Sequence, residues 1–322
     1  MPDRSDRDHI PDVPSVSQPG GVEVIAQATT VTAAASERAL STRQLAWRRF
    51  KRHKLAMGGA ILLILLAVST IVIPLISKYS YREQNLLTTM KGPSGHHLFG
   101  TDTLGRDEFT RVLYGGRISL LVGLSVAIMA GGIGAFTGAI AGFYGGVLDN
   151  ILMRVTDLFL AIPFLVILIM AAKIFGGSVF DIVLILSLFF WMPEARIVRG
   201  VFLSMKEKEF VEAARASGAS NSRIIFYHML PNALGPITVI VTLGVAAAIL
   251  TESALSFLGF GIQPPTPTWG NLLNDSTNVT LIAPWLVYFP GLFILITVLC
   301  VNFLGDGLRD ALDPHQELKQ SV

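Results

Sequence analysis

The stretch Gly58–Ile76, GGAILLILLAVSTIVIPLI, contains no charged residue. A hydrocarbon layer about 30 Å thick needs about 20 consecutive apolar residues to cross it as a helix. In lipid, the backbone of such a segment must satisfy its own polar groups, so the segment reads as a membrane-spanning helix. A second charge-free stretch covers Ile118–Phe143, and four more apolar stretches lie near 151–175, 177–198, 234–255 and 285–304. The expected fold is therefore an all-α integral membrane protein with six transmembrane helices. Only 15% of the residues are charged, against about 25% in soluble domains. The first span is too long, too far into the chain and too poor in cleavage-site residues to be a removable signal.

Orientation follows from the basic residues. Of the 25 Lys and Arg, 18 fall on the side of the two termini and seven on the other. An excess of Lys and Arg marks the cytoplasmic side, which places both termini and the 199–233 loop there. Membrane lipids are the expected surroundings. Residues 1–40, rich in Pro, Ser, Thr, Ala and Asp without apolar periodicity, are expected to form a disordered cytoplasmic tail. Residues 41–57 follow, with Leu45, Trp47, Phe50 and Leu55 set among basic residues; this suits an amphipathic helix lying on an anionic leaflet. The transmembrane domain is expected over 58–314, and a short tail over 315–322.

Within the spans, Gly134, Gly138 and Gly142 recur at four-residue intervals, a pattern that lets two helix backbones approach closely. The seam they make either moves or is a static packing groove. Pro163 and Pro193 each remove a backbone donor and are expected to kink the third and fourth spans.

An enzyme reading fails by absence. The chain has no G-x-x-x-x-G-K-[ST] loop to cradle nucleotide phosphates, no H-E-x-x-H and no G-x-S-x-G. Its single cysteine, Cys300, excludes an intrachain disulfide and reads as a packing residue. His96 and His97 precede Asp102, Asp107 and Glu108, but adjacent histidines on a loop read as solvated, and no metal is expected. A net charge of +2 gives no reason to expect nucleic acid. Glu252 is the conspicuous ionisable group in a span, and such a group is a functional candidate. It either faces a translocation path and meets a cation, or lies close enough to the interface to reach water or pair with a neighbouring chain.

The most informative segment is hydrophilic. EFVEAARAS reads as a short helix with Ala213 and Ala214 as a smooth face and Phe210 as a possible anchor. Gly218 is placed to cap it with positive φ. Ser220 or Asn221 starts a second helix, and Pro231 marks the turn toward the fifth span. Two short helices standing off a membrane present a shape for another protein to grip; an amphipathic loop resting on headgroups is the other reading.

At these residues the chain resembles the membrane subunits of ABC importers, which carry E-A-A-x-x-x-G followed after nine residues by I-x-L-P. Here the motif is Glu212, Ala213, Ala214, Gly218, Leu230 and Pro231, with His228 standing where the motif has Ile. HHLFGTDTLGRDEFTRVLYGGRISL, ALSFLGFGIQPPTPTWG and LGDGLRDALDP resemble the C-type permease subunit of dipeptide, oligopeptide and nickel importers, and the similarity runs from about residue 43 to 314.

The resemblance implies the type I importer permease architecture in a prokaryotic cell membrane, with 199–233 as a loop coupling the chain to an ATPase. It implies a B-type permease subunit as the other half of a heterodimeric pore, two ABC ATPase subunits that bind ATP and Mg, and an extracytoplasmic substrate-binding protein. No cofactor is implied in this chain. Peptides are the implied cargo, with nickel, haem and glutathione as alternatives. Asp102, Arg106, Asp107 and Arg111 then either contact the docked binding protein or the partner permease, or form a self-contained loop. Pro264, Pro265 and Pro267 stiffen the last outer loop. A proton-coupled secondary transporter using Glu252 is the rival class; it would be expected to show internal repeats, and the sequence has none.

Overall fold

The computed structural model describes residues 42–312. The expected tails at 1–40 and 315–322 lie outside the described residues. Residues 48–312 belong to one compact unit, and among the described residues the chain is helical with no strand. Helix α1 is Thr42–Arg52. The helix expected over 41–57 is broken at His53, whose Nδ1 accepts the Ala56 amide at 3.1 Å and caps the next helix. Helix α2 therefore starts at Lys54 and runs to Ile76.

Helix α3, Glu108–Tyr144, has 37 residues and at 1.5 Å per residue is about 55 Å long. It begins ahead of the charge-free stretch because Asp107 caps it: Oδ2 accepts the Thr110 amide at 2.9 Å. The chain then turns at Gly145, φ +68°. The expected third span is two helices, α4 (Gly146–Leu160) and α5 (Phe164–Phe175), which meet at 86°. Pro163 precedes α5 without helical geometry, so the proline ends one helix instead of kinking a continuous one. Helix α6, Val179–Lys206, opens with a reciprocal Ser178–Asp181 capping box.

Helix α7 is Glu209–Ala216, and α8 runs unbroken from Asn221 to Phe257. Helices α9 (Trp269–Ser276) and α10 (Trp285–Leu312) complete the bundle. Among the described residues four helices are long and apolar enough to cross a membrane: α2, α3, α8 and α10. The bent α4–α5 pair is a possible fifth. Helix α6, on which the fourth expected span falls, is long enough but carries Asp181, Glu194, Arg196 and Arg199, too many charges for an apolar crossing judged by composition.

The glycine seam has α6 as its partner. A Cβ on Gly134 would stand 2.9 Å from the Trp191 carbonyl oxygen and 3.1 Å from the Ala195 amide nitrogen, and one on Gly142 would stand 2.7 Å from the Arg199 carbonyl oxygen. Helices α3 and α6 thus touch backbone to backbone, where van der Waals contact holds them. One apolar cluster, with Val122, Leu168, Ile182, Leu186 and Phe189, fills the space among α3, α5, α6 and α8. A second, with Phe143, Phe202, Val211, Ile224 and Met229, closes the Tyr144 end of the bundle.

Candidate functional site

The segment after α6 is built on that second cluster. Val211 is fully buried and anchors α7, whereas Phe210, the candidate anchor in the sequence, is 36% exposed. The difference is one residue of helical phase. Helix α7 ends in two paired hydrogen bonds: Ala219 donates its amide to the Ala214 carbonyl at 3.1 Å and Gly218 donates to Arg215 at 2.9 Å. This double closure needs a left-handed residue between them, and Gly218 has φ +77°. Nothing lies within 4 Å of where its Cβ would be, so the glycine is there for backbone conformation and not for space.

Ser220 precedes the second helix without a side-chain cap. That helix does not stop at Pro231. It widens into a π-helical turn over Ile224–Met229, where Leu230 donates its amide to Ile225 five residues back. Widening there lets the helix pass a residue that lacks a donor and would clash with the preceding turn, so the chain runs on into α8 instead of turning. Glu212, Ala213, Gly218 and Pro231 are exposed, while Ala214 and Leu230 are half-buried against the apolar cluster. An open groove runs between α7 and the start of α8, lined by Phe210, Ala213, Ser217, Gly218, Arg223 and His228 among others.

The opposite end of α3 holds the ion lattice expected from Asp102, Arg106, Asp107 and Arg111, but its side chains point inward. Asp102 is 3% exposed and Arg111 4%. Asp102 accepts the backbone amides of Leu104 (2.9 Å) and Arg106 (2.8 Å), Arg106 Nε at 2.6 Å, and the Arg111 guanidinium. Asp107 faces His97 Nδ1 at 3.0 Å while capping α3. Within this chain the arrangement is an internal brace. Sequence reading missed its far member, Asp275 of α9, which accepts from Arg111 at 3.0 Å and lies 3.5 Å from Arg106. His96 is exposed, and no group of three or more His, Cys, Asp or Glu among the described residues is placed to hold a metal ion.

Within this chain Glu252 does not reach the surface. It is fully buried. Ser256 Oγ donates to it at 2.7 Å and Ser119 Oγ lies at 3.4 Å; the Trp269 amide in turn donates to Ser119 Oγ at 3.3 Å. A hydroxyl cage satisfies the carboxyl group and ties α3, α8 and α9 together. A carboxylate that lacks such a cage is Glu194 on α6. It is 6% exposed, its Oε2 has no hydrogen-bond partner among the described residues, and it lies beside Gly131 and Gly244. Helix α4 is pinned to α6 by two ion pairs, Arg196–Asp157 and Arg199–Asp149, the latter with two contacts at 2.5 and 2.6 Å.

The family described as "Binding-protein-dependent transport system inner membrane component" matches residues 134–317. The "N-terminal TM domain of oligopeptide transport permease C" matches residues 41–93. Among curated proteins, the chain is 43% identical over 279 residues to the oligopeptide transport system permease protein OppC of Bacillus subtilis (strain 168), covering 87% of this chain and 92% of the relative. It is 45% identical over 276 residues to the dipeptide transport system permease protein DppC of the same strain, covering 85% and 86%. To the OppC protein of Escherichia coli (strain K12) it is 43% identical over 274 residues, covering 84% and 90%.

Proposed function

Because this chain belongs to the family of binding-protein-dependent transport system inner membrane components, we propose that it is the membrane-spanning subunit of an ATP-driven importer whose cargo is peptides. It is a multi-pass membrane protein of a bacterial inner-membrane permease family. The cargo rests on the peptide-transport names of its relatives. On this reading it pairs with a second permease, receives substrate from an external binding protein and takes its driving force from separate ATPase subunits, which hold ATP and Mg. Six crossings with both termini inside remain part of the proposal, with α4–α5 and α6 supplying the third and fourth. In support, membrane proteins do accommodate broken helices and internal charges when neighbouring protein satisfies them.

The observation that carries the mechanism is the capped helix Glu209–Ala216, displayed on the apolar cluster with Glu212, Ala213 and Gly218 exposed. A rigid, protruding unit seated on the ends of α3, α6 and α8 is suited to pass displacement into the bundle. A partner moves the bundle only if it binds one arrangement better than another, and closing ATPase subunits on ATP supply that preference here. The test is purification of this chain from native membranes in mild detergent, followed by peptide uptake in liposomes. Co-purification of a second permease with P-loop ATPases, and uptake that needs ATP, are expected. Recovery of the chain alone, transporting without ATP, would overturn the proposal.

A further inference from the structure

The groove between α7 and the start of α8 has a chemistry of its own, and three arginines at this end of the bundle are already engaged. Arg196 and Arg199 pair with Asp157 and Asp149, and Arg215 lies over the Phe143 ring, 5.6 Å from its centre. Arg223 is different. It is exposed, it lines the groove beside the half-buried His228, and it has no ion pair or hydrogen-bonded side-chain partner among the described residues. The rest of the lining is small or apolar: Ala213, Ser217 and Gly218 with Phe210. A guanidinium at the edge of such a cleft selects a carboxylate, since its planar fork pairs with one through two parallel hydrogen bonds.

We infer that Arg223 is a docking residue for an acidic side chain of the ATPase subunit, which enters the groove with an apolar neighbour packed against Ala213 and Phe210. The inference rests on the coupling role proposed above and adds the partner's chemistry: an apolar residue with an Asp or Glu beside it. The attraction is a charge pair at the edge of an interface, so it adds to both affinity and orientation and weakens as salt rises.

The experiment uses the complete permease pair in nanodiscs of zwitterionic lipid and measures ATPase-subunit binding across a salt series. Arg223→Glu is expected to weaken binding about tenfold or more at low salt and to flatten the salt dependence. Arg223→Lys is expected to keep most of the affinity, and reversing the paired acid on the ATPase subunit should restore binding to Arg223→Glu. Arg223→Gln serves as the second variant should the charge reversal fail to assemble, with a smaller loss and the same flattening expected. Unchanged binding by Arg223→Glu at every salt concentration, while Ala213→Trp abolishes it, would overturn this inference and leave the coupling role standing. The series is repeated in nanodiscs of anionic lipid, and loss confined to those would assign Arg223 to a headgroup and also overturn the inference. Absence of wild-type binding would instead remove the coupling role itself.

Discussion

Arg111 of α3 and Asp275 of α9, 164 residues apart in the chain, meet at 3.0 Å. Arg111 is the buried hub of this brace, since it also binds Asp102 and lies 3.8 Å from Glu108. Removing a buried partner strands the opposing charges and costs about 3–5 kcal/mol. Arg111→Ala should therefore lower the thermal unfolding midpoint in detergent sharply. Asp275 is 36% exposed, and solvent screens its share of the pairing, so Asp275→Asn should cost about 1 kcal/mol or less. Equal losses from the two variants would contradict the inward-facing brace.

Glu252 gives a prediction that separates structure from transport chemistry. Gln keeps the shape and an acceptor for Ser256, so Glu252→Gln should stay folded and support ATP-driven uptake. Glu252→Leu leaves the Ser119 and Ser256 hydroxyls without their acceptor inside the bundle, at about 1–3 kcal/mol for each stranded group, and should lose yield and thermal stability. Loss of uptake by Glu252→Gln in a fully folded protein would point to a protonation step instead.

The α3–α6 seam predicts a sharp position dependence among neighbouring glycines. Gly134→Val places a side chain against the α6 backbone and should destabilise the bundle by about 1–3 kcal/mol. Gly132 has open space where a Cβ would be, and Gly132→Ala should be neutral or stabilising by up to about 1 kcal/mol. Thermal melts of the two variants, measured in one detergent, check the seam.

Much of this was legible in the sequence, and the failures share a cause. Charge-free runs located α2 and α3, and Gly218 announced its left-handed turn because few residues other than glycine adopt one without strain. Helix ends were misplaced where a single cap decided them, as at His53 and Asp107. Pro163 and Pro231 have opposite outcomes: one separates α4 from α5, and the other is absorbed by a π-helical turn. Local sequence does not distinguish them, because the outcome depends on what packs against the freed backbone. The burial of Asp102, Arg111 and Glu252 was not legible for a related reason. Their partners Asp275 and Ser119 lie 164 and 133 residues away, and burial is set by those distant contacts.

The central claim is that α7 and its Gly218 cap pass force from an ATPase into the bundle. The most direct measurement is ATP hydrolysis and peptide uptake, taken together, by the reconstituted complex carrying Gly218→Asp or Glu212→Lys. Both sites are exposed and outside the spans, so insertion and folding should survive, with a strain cost of about 1–2 kcal/mol at the left-handed position. The account predicts that hydrolysis continues while uptake falls at least about tenfold. Uptake at the wild-type rate in both variants would contradict it.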